Sequence, residues 1–140
     1  MKTLSPLLAL IQILLATHTL AADYLGEFER LKGSANDVEI RAFLTKSAET
    51  EQGNPDYYAT AGNYWWQLSQ SMSITTKPTE GNDLSVRDQK SGKEVGSIST
   101  LGQMNPEIPK RAVNILLEGV RRFPERADIA LGLAHVQQKM

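Results

Sequence analysis

Two prolines, Pro55 and Pro124, each separate two stretches in which apolar residues recur every three or four positions. Such spacing places the apolar side chains on one face of an α-helix, because the helix turns once every 3.6 residues. Pro55 also suits the first turn of a helix, where the missing N–H is not needed. The sequence therefore predicts a mainly helical chain built from two helix–turn–helix pairs, with helices at about residues 38–51, 56–71, 110–123 and 126–139.

Smaller features complete this outline. A short helix or turn is expected near residues 25–31, and Asn36 or Asp37 can cap the helix that follows. Between the two helix pairs the helical spacing is lost, and apolar and polar residues alternate. Gly92 lies between two alternating stretches and can adopt the left-handed conformation of a tight turn. We expect a β-hairpin at about residues 84–98 inserted between the helix pairs, with an irregular loop as the alternative.

The second predicted helix carries five of the nine aromatic residues of the chain within ten positions. These rings occupy a wide stripe, which indicates neighbours on two sides of the helix. The small residues Ala61 and Gly62 would let another helix approach between them. The cluster can be core material or a binding surface, and the sequence alone leaves both open. Its members are Tyr57, Tyr58, Tyr64, Trp65 and Trp66.

The first 22 residues have the plan of a secretory signal peptide. Lys2 is their only charged residue, an apolar run follows it, and small residues precede an expected cleavage near Ala21–Asp23. Polar residues, including Gln12, interrupt the run before it reaches the roughly 20 apolar residues that a membrane span needs. We therefore expect a domain of residues 23–140 in the periplasm or outside the cell, with no stable membrane insertion after cleavage.

Composition narrows the possible chemistry. The chain has no cysteine, which excludes disulfides, thiolate catalysis and cysteine-bound zinc. An exported chain without disulfides fits a bacterial periplasm, where a domain can fold on its core alone. The net charge of −1 provides no basic surface of the kind that nucleic acids require.

The stretch from Ala112 through Leu116 and Gly119 to Pro124 resembles the second helix of a tetratricopeptide repeat, which has small and large apolar residues and a proline at these spacings. Leu133 and Ala134 resemble the large–small pair of the next repeat. The resemblance covers residues 112–134 well and residues 43–68 weakly. It implies a solenoid of stacked helix–turn–helix units, either in this chain alone or as a truncated part of a longer array. A plain helical domain is the alternative.

No arrangement of residues in the sequence indicates catalysis. His135 is the sole histidine after the predicted cleavage, and no second histidine lies at a spacing that could share a metal. A Ser-His-Asp site would need this same residue, and no Gly-x-Ser-x-Gly motif is present. We therefore expect a protein that is not an enzyme and that carries no cofactor and no metal.

The remaining interpretation is an exported helical-repeat scaffold that binds a protein or peptide. The candidate partner-binding residues are Tyr58 and Trp66 beside the aromatic stripe, and Leu133 and Val136 on the last helix. An alternative is a small inhibitor or immunity-type protein that blocks an enzyme with the hairpin at Ser85–Ile98.

Overall fold

The computed structural model describes residues 24–34, 36–77 and 84–140. The predicted signal peptide and its cleavage region lie outside these ranges. The described chain is mainly helical with a small antiparallel sheet, as expected. Its helices are α1 (24–33), α2 (Asp37–Thr50), α3 (Pro55–Gln70), α4 (Leu101–Met104), α5 (Glu107–Arg122) and α6 (Ala127–Lys139). Its strands are β1 (Met72–Thr75), β2 (Leu84–Arg87) and β3 (Glu94–Thr100).

All four predicted helices are confirmed, and three of them have ends within one residue of the expected positions. The exception is α5, which begins at Glu107 and not at Lys110. The predicted start at residue 110 leaves Pro109 outside the helix, whereas it lies inside the first turn. Proline is tolerated there because the first N–H groups of a helix have no partner within the helix.

The structure divides into two compact units, with the boundary between Tyr57 and Tyr58 inside α3. In the first unit, the side chain of Asn36 caps α2 by accepting hydrogen bonds from the backbone N–H groups of Val38 and Glu39, at 3.2 and 3.3 Å. The ring of Tyr24 stacks on Phe43 with 5.4 Å between centroids. Buried residues from α1 and α2 complete this core, namely Phe28, Leu31, Ile40 and Leu44.

The core of the second unit lies where α3 packs against α5. A Cβ atom added to Gly62 would lie only 2.5 Å from Cγ of Leu116, so this glycine permits the close approach that the sequence predicted. Gly119 permits the same close approach from the side of α5, because an added Cβ would lie 2.6 Å from Cβ of Tyr58. Fully buried Ile129 of α6 packs over the same point.

The sheet also belongs to the second unit, and its strand order is β1-β3-β2. The predicted hairpin is confirmed: β2 pairs antiparallel with β3, and Gly92 in the turn has a φ of 67°. The predicted hairpin had two strands and did not include β1, which pairs with the other side of β3. That pairing joins segments more than twenty residues apart in the sequence, so no local turn signal predicts it.

Candidate protein-binding surface

The structure buries all four residues that the sequence suggested for partner binding. Their exposed fractions are 4% for Tyr58, 8% for Trp66, 9% for Leu133 and 1% for Val136. The Tyr58 ring packs against Phe123 at 5.7 Å between centroids. In this arrangement the four side chains form part of the core, and a partner would first contact other residues.

The environment of Tyr58 favours the protonated phenol. Burial raises the pKa of its phenol above the ordinary value of 10.0, and the positive charge of Arg122 offsets part of this rise. The hydroxyl therefore stays protonated. Arg122 is itself held by Glu118, with 2.6 Å between Nε and the carboxylate.

The neighbouring ring, Trp65, is covered by a cation. The guanidinium of Arg111 lies 4.1 Å from the Trp65 ring centroid, which is the geometry of a cation–π contact. Trp65 itself is buried. The aromatic cluster on α3 therefore supplies mainly core.

Three exposed apolar side chains lie on one face of the sheet. The register places Ile74, Ile98 and Leu84 in one row across the three strands. Directly opposed residues have their side chains on the same face, so these three are neighbours. The exposed fractions are 77% for Met72, 75% for Ile74 and 64% for Leu84. We call Met72, Ile74, Leu84, Val86 and Ile98 the apolar sheet face.

The opposite face of the sheet carries hydroxyl groups. Ser97 and Ser99 of β3 are buried on this side. Ser99 Oγ donates a hydrogen bond to Oε1 of Gln103 at 2.9 Å, whereas Ser97 Oγ has no partner within the described part of the chain. The sheet thus turns its polar face inward and its apolar face outward, the reverse of the usual arrangement. Alternation in the sequence defines the two faces, but it does not tell which one is covered.

The hairpin tip is exposed and internally organised. The backbone N–H and the hydroxyl of Ser91 both donate to Oδ1 of Asp88, at 2.7 and 2.6 Å. These hydrogen bonds lower the pKa of Asp88 below its ordinary value of 3.8. The turn closes with a bond from the N–H of Asp88 to the carbonyl of Lys93 at 2.8 Å.

The described ranges bring no cluster of metal ligands together. No group of three or more His, Asp or Glu residues there could hold a metal ion. His135 is exposed on α6, with its ring edge-on to Trp66 at 6.4 Å. An open groove between α5 and α6 brings together no acid–base pair; it is lined by Lys110, Val113, Asn114, Gln137 and Met140.

Two further findings concern membrane spans and similarity to known proteins. Among the described helices, none combines the length and the apolar character needed to cross a membrane. No protein-family model, curated protein or solved structure matches this sequence.

Proposed function

We propose that this chain is an exported helical scaffold that binds a protein or a peptide, and that the apolar sheet face is part of the binding surface. The supporting observation is the exposure of Met72, Ile74 and Leu84 side by side on one sheet. Contiguous apolar patches on a protein surface mark interaction sites, because exposed apolar area is stabilised when a partner removes it from water. A paired sheet also holds these side chains in fixed positions.

The helix pair α5–α6 supports the tetratricopeptide-like part of this proposal. Ala112, Leu116 and Gly119 are buried along one side of α5, the side that carries the resemblance. On α6 the outward side is apolar, with Leu131 70% exposed and Ala130 and Ala134 also exposed. A stacked helical unit or a partner would pack against this side.

The binding surface is tested with the double substitution Ile74→Thr and Leu84→Thr. Threonine keeps a strand former at both exposed positions, so we expect the free energy of unfolding to change by less than about 1 kcal/mol. Capture of partners from a periplasmic extract should fall at least about tenfold, a change of about 1.4 kcal/mol in binding free energy.

Val38→Thr is the matched control, because Val38 is 73% exposed on α2 and lies outside the sheet. This variant should capture partners as well as the original chain. Undiminished capture by the double variant would contradict the proposed surface.

The inhibitor alternative is supported by the hairpin tip, which is exposed and internally hydrogen-bonded. Deleting the hairpin is an unsuitable test, because β3 is the central strand and its loss would remove the whole sheet. Replacing Lys90 and Lys93 with serine changes the tip and leaves the ladder intact. Loss of partner capture in this variant, with full capture by the Ile74 and Leu84 double variant, would favour the inhibitor over the scaffold.

A further inference from the structure

The outer edge of β1 has no strand beside it among the described residues, since β3 lies on its other side. The N–H of Leu101 donates to the carbonyl of Ser71 at 2.9 Å, in line with the β1–β3 register. Hydrogen-bonded pairs alternate along an antiparallel ladder, so Ser73 also directs its N–H and C=O toward β3. Met72 and Ile74 consequently direct their backbone groups outward, to the open edge.

We propose that this edge pairs with β1 of a second copy of the chain, in antiparallel orientation, with Ser73 of both copies on the two-fold axis. In this register Met72 lies opposite Ile74 of the second copy, and Ile74 lies opposite Met72 of the second copy. The apolar sheet faces of the two copies then form one continuous surface. Self-association is distinct from partner binding, and either property can fail without the other.

The backbone geometry selects this register. Apolar side chains of the two copies become neighbours only in registers that place residues of the apolar sheet face opposite one another. With Ser73 on the axis, Met72 and Ile74 each exchange two N–H···O bonds with the second copy, and all of these bonds lie within β1. Centring the pair on Ile74 would instead require Thr76, which lies beyond the end of the strand.

Charge favours a second copy of this strand as the occupant. No residue from Gln67 to Thr76 is ionisable, so two copies meet without like-charge repulsion and a charged partner finds no counter-charge. The other edge of the sheet is less suitable, because β2 carries Arg87 and an irregularity of the ladder between Val86 and Arg87. Charges and bulges are features that protect sheet edges from pairing.

The size of the contact sets the expected strength. A stable dimer buries about 800 Å² on each partner, and the edge of a four-residue strand with its apolar neighbours covers less. The pair should therefore form reversibly, with dimer appearing only at high protein concentration, as expected for interfaces below the standard size. Such concentrations are accessible for the purified exported chain.

Cysteine cross-linking tests the register directly, because the chain contains no cysteine. A non-hydrogen-bonded pair has about 4.5 Å between Cα atoms, within the range that a disulfide spans. In the Ser73→Cys variant, oxidised glutathione should convert the two facing thiols into an intermolecular disulfide and be reduced to two glutathione thiols. We expect most of the protein to become covalent dimer at high concentration.

Ser85→Cys is the matched control, since Ser85 lies on β2 and is more exposed than Ser73. Random collisions would cross-link this variant at least as readily. The proposal is overturned if Ser73→Cys stays monomeric or if both variants dimerise to the same extent.

Sedimentation velocity tests the uncrosslinked chain between about 10 and 500 µM, a range in which an interface smaller than the standard size can become populated. The average mass should rise with concentration. Ile74→Pro should stay monomeric, because proline removes an outward N–H and leaves the bonds to β3 in place. Ile74→Val keeps that N–H and should associate like the original chain. A constant mass for the original chain, or association that survives in folded Ile74→Pro, would overturn the proposal; if this variant does not fold, the cross-linking result decides.

Discussion

At the scale of single residues, Gly119 marks a close contact between α5 and its neighbours. In the Gly119→Ala variant the new methyl group would lie 2.6 Å from Cβ of Tyr58 and 2.9 Å from Cγ2 of Ile129. Such overpacking costs about 1–3 kcal/mol, against a gain of about 1 kcal/mol from the higher helix propensity of alanine. We expect a net loss of stability, measured by chemical denaturation.

Gly132→Ala is the control for this prediction, because the nearest atom to an added Cβ is Cδ2 of Leu116 at 3.4 Å. That distance is ordinary contact, so the helix propensity should dominate and stabilise the chain by about 0.5–1 kcal/mol. Equal effects at the two glycines would show that packing does not distinguish them.

Asp88 makes the stability of the folded chain depend on pH. Hydrogen bonds from Ser91 lower the pKa of Asp88, so the folded state favours the carboxylate. The resulting stabilisation is complete above the ordinary pKa of 3.8 and is lost as the pH falls through the lowered value. The chemical shift of the Ser91 amide should therefore titrate with a midpoint below 3.8. In Asp88→Asn this titration should be absent, and a midpoint at or above the ordinary pKa would contradict the hydrogen-bonding role.

Local residue signals were sufficient wherever a single turn decides the conformation. Asn36 as a cap, Pro55 at the start of α3 and Gly92 in the turn were all predictable, since each acts on backbone groups within a few positions. The burial of Tyr58 and Trp66 was not predictable from their type, because aromatic rings serve cores and interfaces equally well. Only the identity of the packed neighbours separates the two uses.

At the scale of elements, the capping of α2 by Asn36 makes a measurable prediction. Replacing Asn36 with alanine removes the acceptor for the N–H groups of Val38 and Glu39. We expect a loss of about 1 kcal/mol in the free energy of unfolding. Asn36→Asp retains an acceptor and a favourable charge at the helix N-terminus, so it should preserve stability. Equal destabilisation by the two substitutions would argue against the cap.

The sheet has features that local sequence patterns do not predict. Alternation indicated the strands of the hairpin, and helical spacing indicated four helices, because both patterns repeat within a single element. The third strand and the outward direction of the apolar sheet face depend on pairing with distant β3 and on what covers Ser97 and Ser99. These are long-range relations, so the candidate surface could not be derived from periodicity.

At the scale of the whole molecule, the predicted export would decide where the proposed scaffold acts. If residues 1–22 are a signal peptide, expression in a bacterium should yield a periplasmic chain that begins near Ala22 or Asp23. Intact mass spectrometry of the periplasmic fraction measures this directly. A Leu10→Arg variant, with a charge in the apolar run, should remain uncleaved in the cytoplasm. Periplasmic chain with residues 1–22 intact would contradict the cleavage prediction.

The unequal edges of the sheet have a consequence for how assembly ends. A subunit with two equivalent open edges can add strands without limit, as in a fibre, whereas a subunit with one open edge is saturated by a single partner. The charged and irregular edge at β2 gives this chain one pairing edge. Accumulation in a crowded compartment should then produce discrete two-fold particles, and the exposed apolar surface need not lead to polymerisation.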